Sequence, residues 1–86
     1  MDEPEVFIVT VACAAKNFET DMALPAELPI GEMRGKILDV LKALDEEKFQ
    51  AWRGCRLQSS YRVLSDGETL ARAGIFDGGC LEVIKQ

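Results

Sequence analysis

The sequence contains no histidine. This removes the commonest general base near neutral pH and the commonest metal-ligating side chain together. The three cysteines, Cys13, Cys55 and Cys80, share no close spacing. That excludes a C-x-x-C zinc or redox motif, and an odd count argues against a disulfide framework. Each lies in an apolar segment, so buried, reduced thiols are expected. No glycine-rich phosphate loop or nucleophile elbow is present. Basic residues are few, 10 against 15 acidic, giving a net charge of −5. An acidic chain gains no counterion-release free energy on a phosphate backbone, so nucleic acid is not an expected partner. Anionic membrane surfaces are disfavoured for the same reason.

Long hydrophobic runs are also missing. Val6 to Ala15 is interrupted by Thr10 and spans about half of the roughly 20 residues that cross a bilayer. The opening Met1-Asp2-Glu3-Pro4-Glu5 is acidic, unlike the basic start of a signal peptide. A cytoplasmic chain without membrane insertion is expected, either as a whole protein or as a domain cut from a larger membrane protein. With 86 residues, 48% hydrophobic and 29% charged, there is material for one modest core and no separate catalytic lobe. Residues 1–86 are therefore read as a single domain, with 1–4 frayed.

The ordered part opens with Glu5 to Cys13, EVFIVTVAC, rich in β-branched and aromatic residues and read as a strand. Phe7, Val9 and Val11 share one face, and Val6 and Ile8 the other. Ala14 to Asn17 makes the turn, with Asn17 suited to a left-handed conformation. Phe18 to Leu24 returns with Thr20, Met22 and Leu24 on one face, completing an antiparallel hairpin. Between Pro25 and Pro29 lies a short crossing segment. The one clear helix is Ile30 to Leu44, where Ile30, Met33, Ile37, Val40, Leu41 and Leu44 recur at steps of three and four. Gly31 and Gly35 weaken its first turns by about 1 kcal/mol each, so packing must hold it in place.

Beyond the helix, Phe49 and Trp52 suggest a short second turn closed by Gly54. Cys55 to Gln58 and Tyr61 to Leu64 read as short strands around Ser59-Ser60. Ser65-Asp66-Gly67 and Asp77-Gly78-Gly79 are turn signals, Thr69 to Ala73 fits one helical turn, and Cys80 to Ile84 is the last strand. One helix packed across one face of a mixed four- to five-stranded sheet is an α+β arrangement. The hairpin-then-helix order points to a ubiquitin-like β-grasp.

Specific residues carry a resemblance. Leu64-Ser65-Asp66-Gly67-Glu68-Thr69-Leu70, Ile75 and the strand Leu81 to Ile84 resemble the second half of ubiquitin. Leu24-Pro25-Ala26-Glu27-Leu28-Pro29-Ile30 and Leu70 to Leu81 resemble, more specifically, the YukD/EsaB family of small ubiquitin-like proteins from bacterial type VII secretion loci. The family's usual second Asp in the final turn is Gly79 here. The same fold occurs as the cytoplasmic N-terminal domain of EccD-type membrane subunits. The resemblance implies a non-conjugating adaptor or regulator. Its expected partners are proteins, membrane-associated secretion components among them, with a homodimer also open.

Chemistry offers little against that. Ubiquitin and sulfur carriers act through a flexible terminal diglycine, whereas the only Gly-Gly, Gly78-Gly79, is internal and the sequence ends Val83-Ile84-Lys85-Gln86. A carrier or modifier is expected only if a longer tail exists. Cys55, between Arg53 and Arg56, is the best candidate for a reactive thiol, but an adjacent Arg56 points to the other side of a strand and a structural thiol is the better reading. The acidic clusters Asp2-Glu3-Glu5 and Asp45-Glu46-Glu47 read as solvated surface, so no metal and no cofactor is expected.

That leaves surfaces. Laid on ubiquitin, the receptor-patch positions fall on Gln58 and Ile84, with Glu82 beside them, a patch only partly apolar. The candidate interaction face is the outer sheet surface with Val6, Ile8 and Ile84, edged by Arg56 and Glu82. Trp52 is a second candidate, since Trp is enriched at interfaces, although a lone Trp also suits a core-capping role.

Overall fold

The computed structural model of the chain describes residues 5–86. The expected fraying of residues 1–4, and the part of the first acidic cluster that falls there, lie outside the described residues. Strand β1 (Val6–Cys13) turns through a short 3-10 segment, Ala14–Lys16, into β2 (Phe18–Pro25). Asn17 sits in the left-handed region at φ 51, which its short polar side chain tolerates better than most. Helix α1 (Ile30–Leu44) is followed by the short α2 (Glu46–Phe49), then by β3 (Cys55–Ser59), β4 (Arg62–Val63) and β5 (Cys80–Lys85).

The strands form one sheet in the order β2-β1-β5-β3-β4. β1 and β5 are parallel and the other neighbours antiparallel, so the sheet is mixed. The alternation within β1 is strict: Phe7, Val9, Val11 and Cys13 are buried, while Val6 and Ile8 stay exposed. Leu81 and Val83 of β5, Leu57 of β3, and Met22 and Leu24 of β2 complete the inner face, and α1 lies in the same core through Ile30, Met33, Ile37 and Leu41.

The helix departs from its sequence pattern on one side. Val40 and Leu44, read as part of the buried stripe, are 41% and 56% exposed, whereas Leu38 is buried. The cause is the helix's position. α1 packs more against α2 and β3 than against β2, so the side toward α2 and β3 is covered and the side toward β2 is left open. Tyr61 also differs from expectation. The pairs Ser59↔Arg62 and Gln58↔Val63 leave Ser60 and Tyr61 as a two-residue loop, and both take positive φ, 49 and 66. That is the backbone a tight hairpin turn requires. Tyr61 therefore belongs to the turn and not to β4.

α1 begins without a side-chain cap, since Pro29 occupies the cap position. Its first free amides are satisfied from a distance: Ile30 N–H donates to the Glu68 carbonyl at 2.8 Å and Gly31 N–H to the Asp66 carbonyl at 3.0 Å. The turn at residues 65–68 thus caps the helix, meeting the need that every helix N-terminus has. The Ser65 backbone N–H and the Arg62 guanidinium both bind Glu68 and hold its carboxyl below the ordinary value, which fixes the turn. Close approach explains Gly31, because an added Cβ there would lie 3.0 Å from the Asp66 Cβ. At Gly35 a Cβ would meet nothing within 4 Å. Gly35→Ala should therefore stabilise the fold by about 0.5–1 kcal/mol through helix propensity. Gly31→Ala should show no such gain, or a loss, in urea unfolding. Equal gains at both sites would contradict the close approach of Asp66 to Gly31.

Candidate functional site

Strand register decides which candidate residues meet. Thr10 and Ala12 of β1 stand beside Cys80 and Glu82 of β5, and Arg56 and Gln58 of β3 stand beside Ile84 and Glu82. Paired residues project to the same side of a sheet, so the outer face carries Ala12, Glu82, Gln58 and Val63 in one row. Ile84 and Arg56 form the next pair toward one end. Val6 and Ile8 belong to the opposite end, beside Pro25 and Ala23. In the β1–β5 register Ile8 is level with residue 78, six residues from Ile84, or about 20 Å along the strands. All six sheet candidates thus share a face, but the structure does not join Val6, Ile8 and Ile84 into one apolar patch. A polar row, Glu82 and Gln58, lies between them.

Trp52 is not available as a docking residue. It is 3% exposed, with its ring edge-on to Phe49 at 5.1 Å, and Phe49 in turn meets Phe18 at 5.3 Å. The core-capping role is the one it takes. The segment is set by Asp45, whose side chain accepts from the Lys48 backbone N–H at 3.2 Å and caps α2. Neighbouring rings in such edge-to-face pairs add to the stability of plain burial.

The final turn has a structural task that the sequence pattern only marked. Gly78 N–H donates to the Ile8 carbonyl at 2.8 Å, Thr10 N–H donates to the Gly79 carbonyl at 2.9 Å, and Ile8 N–H donates to an Asp77 carboxylate oxygen at 2.7 Å. Asp77 stands in for a strand carbonyl where β5 has not yet begun. At Gly79 an added Cβ would lie 2.9 Å from the Phe76 carbonyl oxygen, which accounts for glycine where the family pattern has Asp. The diglycine is therefore tied into the sheet alongside β1.

The thiols divide. Cys13 and Cys55 are buried, but Cys80 is exposed, against expectation, because its register with Thr10 turns it to the outer face. Burial raises the Cys55 thiol from 9.0 to about 11, although the positive charge of Arg34 opposes this. Such a thiol is neutral and unreactive near neutral pH. Arg34 went unmarked in the sequence because it lies off the apolar stripe. It donates to the Cys55 carbonyl at 3.3 Å and pairs with Asp66 at 3.1 Å, joining α1 to β3 and to the capping turn. Among the described residues no three His, Cys, Asp or Glu side chains converge to hold a metal.

A further feature is a groove of about 620 Å³ between α1 and β2, lined by Met22, Leu24, Ile37, Val40 and Leu44 among others. Sequence reading missed it because Val40 and Leu44 fit the buried stripe.

Comparison with known proteins then decides the family. The sequence matches the family described as WXG100 protein secretion system (Wss), protein YukD, over residues 7–83. The chain belongs to the YukD family. No curated protein matches it. Among solved structures, it is similar to the EccD5 ubiquitin-like domain from Mycobacterium xenopi, with TM-score 0.80 and 21% identity over 96% of this chain and 97% of that one. It is also similar to the ubiquitin-like domain of the Mycobacterium tuberculosis type VII secretion system protein ECCD1, with TM-score 0.74 and 21% identity over 94% and 99%. A chain of the MycP5-free ESX-5 inner membrane complex, State II, matches with TM-score 0.78 and 20% identity, covering 96% of this chain and 21% of that one. These likenesses establish the ubiquitin-like β-grasp fold for this YukD-family chain.

As pH rises, the unfolded chain releases the Cys55 proton before the folded one does. The stability contributed by the buried neutral thiol is intact below about pH 9 and lost as the pH climbs to about 11. Urea midpoints across that window should fall more steeply for the native chain than for Cys55→Ala. Parallel pH profiles would show that Cys55 is not held neutral by burial.

Proposed function

We propose that this chain is a non-conjugating ubiquitin-like adaptor or regulator. In this reading it is cytoplasmic, has no catalysis of its own, and binds protein components of a bacterial type VII secretion machinery, membrane-associated ones among them. The observation that carries the reading is the family match over residues 7–83. The similar chain within an inner membrane complex favours partners of that kind. Absence of conjugation through Gly78-Gly79 is supported by their internal position, where both are peptide-bonded and carry no free carboxylate, and by the backbone hydrogen bonds that hold them to β1 and not in a flexible tail. A binding role is supported by exposed apolar side chains, Val6, Ile8, Val40 and Leu44 among them. No helix among the described residues is long and apolar enough to cross a membrane.

A second reading is favoured by a specific observation. The EccD domains share this fold, and the chain spans 21% of the ESX-5 chain it resembles. The same domain could then serve as the N-terminal part of an EccD-type membrane subunit. The sequence downstream of Gln86 separates the two, since apolar spans there favour the membrane subunit. A terminal diglycine there would instead revive a carrier or modifier.

Affinity capture from cells that carry the secretion machinery tests the adaptor reading. Secretion components should be enriched over capture by an unrelated β-grasp domain. Recovery of none would count against it.

A further inference from the structure

The geometry points to the α1–β2 groove as a docking site for one extended segment of a partner protein, added as a sixth strand to the free edge of β2 and carrying alternate apolar and basic residues. This deepens the adaptor reading and rests on it for the identity of the partner, but its own evidence is geometric. Sheet order leaves the outer edge of β2 unpaired among the described residues. The hydrogen bonds of Ile8 and Thr10 to the 77–79 turn show that even-numbered residues of β1 direct their backbone toward β5. Odd-numbered ones, Phe7, Val9 and Val11, therefore bond to Leu24, Met22 and Thr20. On β2 this leaves the N–H and C=O groups of Glu19, Asp21 and Ala23 directed outward. Unpaired backbone of this kind is a template for strand addition.

The side chains specify the occupant. A residue placed opposite Met22 or Leu24 would point inward to the groove, between those side chains and the exposed Val40 and Leu44; an apolar residue fits there. A residue placed opposite Glu19 or Asp21 would point outward, next to carboxylates that enter no salt bridge among the described residues. Opposite charges across a strand pair stabilise and like charges destabilise, so Lys or Arg fits there. At the helix rim the groove carries Asp39 and Lys36, whose charges offset each other. In the antiparallel register centred on Asp21, a second copy of this chain would set that carboxylate against its own copy, a like-charge contact that opposes self-pairing there.

The test is titration of the 15N-labelled protein with an acetylated, amidated heptapeptide alternating Lys with Val or Ile, and with its counterpart bearing Glu in place of Lys. The Lys peptide should shift the amides of Glu19, Asp21 and Ala23 and the methyls of Val40 and Leu44. It should bind about tenfold tighter than the Glu peptide or better. Asp21→Lys or Glu19→Lys should narrow or reverse that preference, and Val40→Asp, at an exposed site, should weaken the Lys peptide. Equal binding of the two peptides would overturn the proposal, as would shifts confined to Val6, Ile8 or Ile84. So would a dimer in sedimentation whose formation perturbs the same β2 amides. Affinity capture with Val40→Asp separates this proposal from the broader function. Undiminished recovery of secretion components refutes the groove and leaves the adaptor reading standing. Peptide binding without any such recovery does the reverse.

Discussion

The seating of α1 on the inner face of the sheet is the constraint from which the rest follows. Ile30, Met33, Ile37 and Leu41 are fully buried, whereas the helix has no side-chain cap and carries glycines at 31 and 35 in its first turns. Local propensity cannot hold such a segment in water, and tertiary packing of an apolar face can. Where the helix rests then decides what is left open. By lying toward α2 and β3 it covers Leu38 and closes the core around Phe49, Trp52 and Leu57. The same placement uncovers Val40 and Leu44 and opens the groove beside β2.

Two loops convert this packing into a single unit. The turn at residues 65–68 supplies carbonyls to the first amides of α1, and Arg34 returns a guanidinium to Asp66. The turn at residues 77–79 extends the pairing of β1 past the start of β5, with the Asp77 carboxylate replacing a backbone acceptor. Gly78, Gly79, Cys55 and Arg34 are thus engaged within the fold. The diglycine is backbone-paired, the Cys55 thiol is held neutral by burial against the opposing charge of Arg34, and Arg34 is held by the Cys55 carbonyl and Asp66. The described surface includes the outer edge of β2 and exposed apolar side chains at Val40 and Leu44.

Much of the fold was legible because its signals are local and periodic. The helix ends fall at Ile30 and Leu44, where the apolar repeat starts and stops, and the alternation of β1 assigned its inner face. The features that escaped depend on three-dimensional placement. Periodicity put Val40 and Leu44 on the apolar stripe but could not say how far the sheet beneath it extends. Cys80 looked buried because β5 is apolar, yet its partner Thr10 lies on the outer face. Tyr61 has high strand propensity, and hairpin register forced it into the turn. Val6, Ile8 and Ile84 share the outer face, but only the parallel register of β1 and β5 shows that they occupy opposite ends. The groove needed both the helix position and the unpaired edge.

Residue-resolved native-state hydrogen exchange tests the seating of α1 most directly. Amides of Met33 to Leu41 should open with the same free energy as those of Val9 and Val11, equal to that of global unfolding, while the outward amides of Glu19, Asp21 and Ala23 exchange fast. Opening of α1 at a much lower free energy than β1, or β2 edge amides as protected as those of the central strand, would contradict the account.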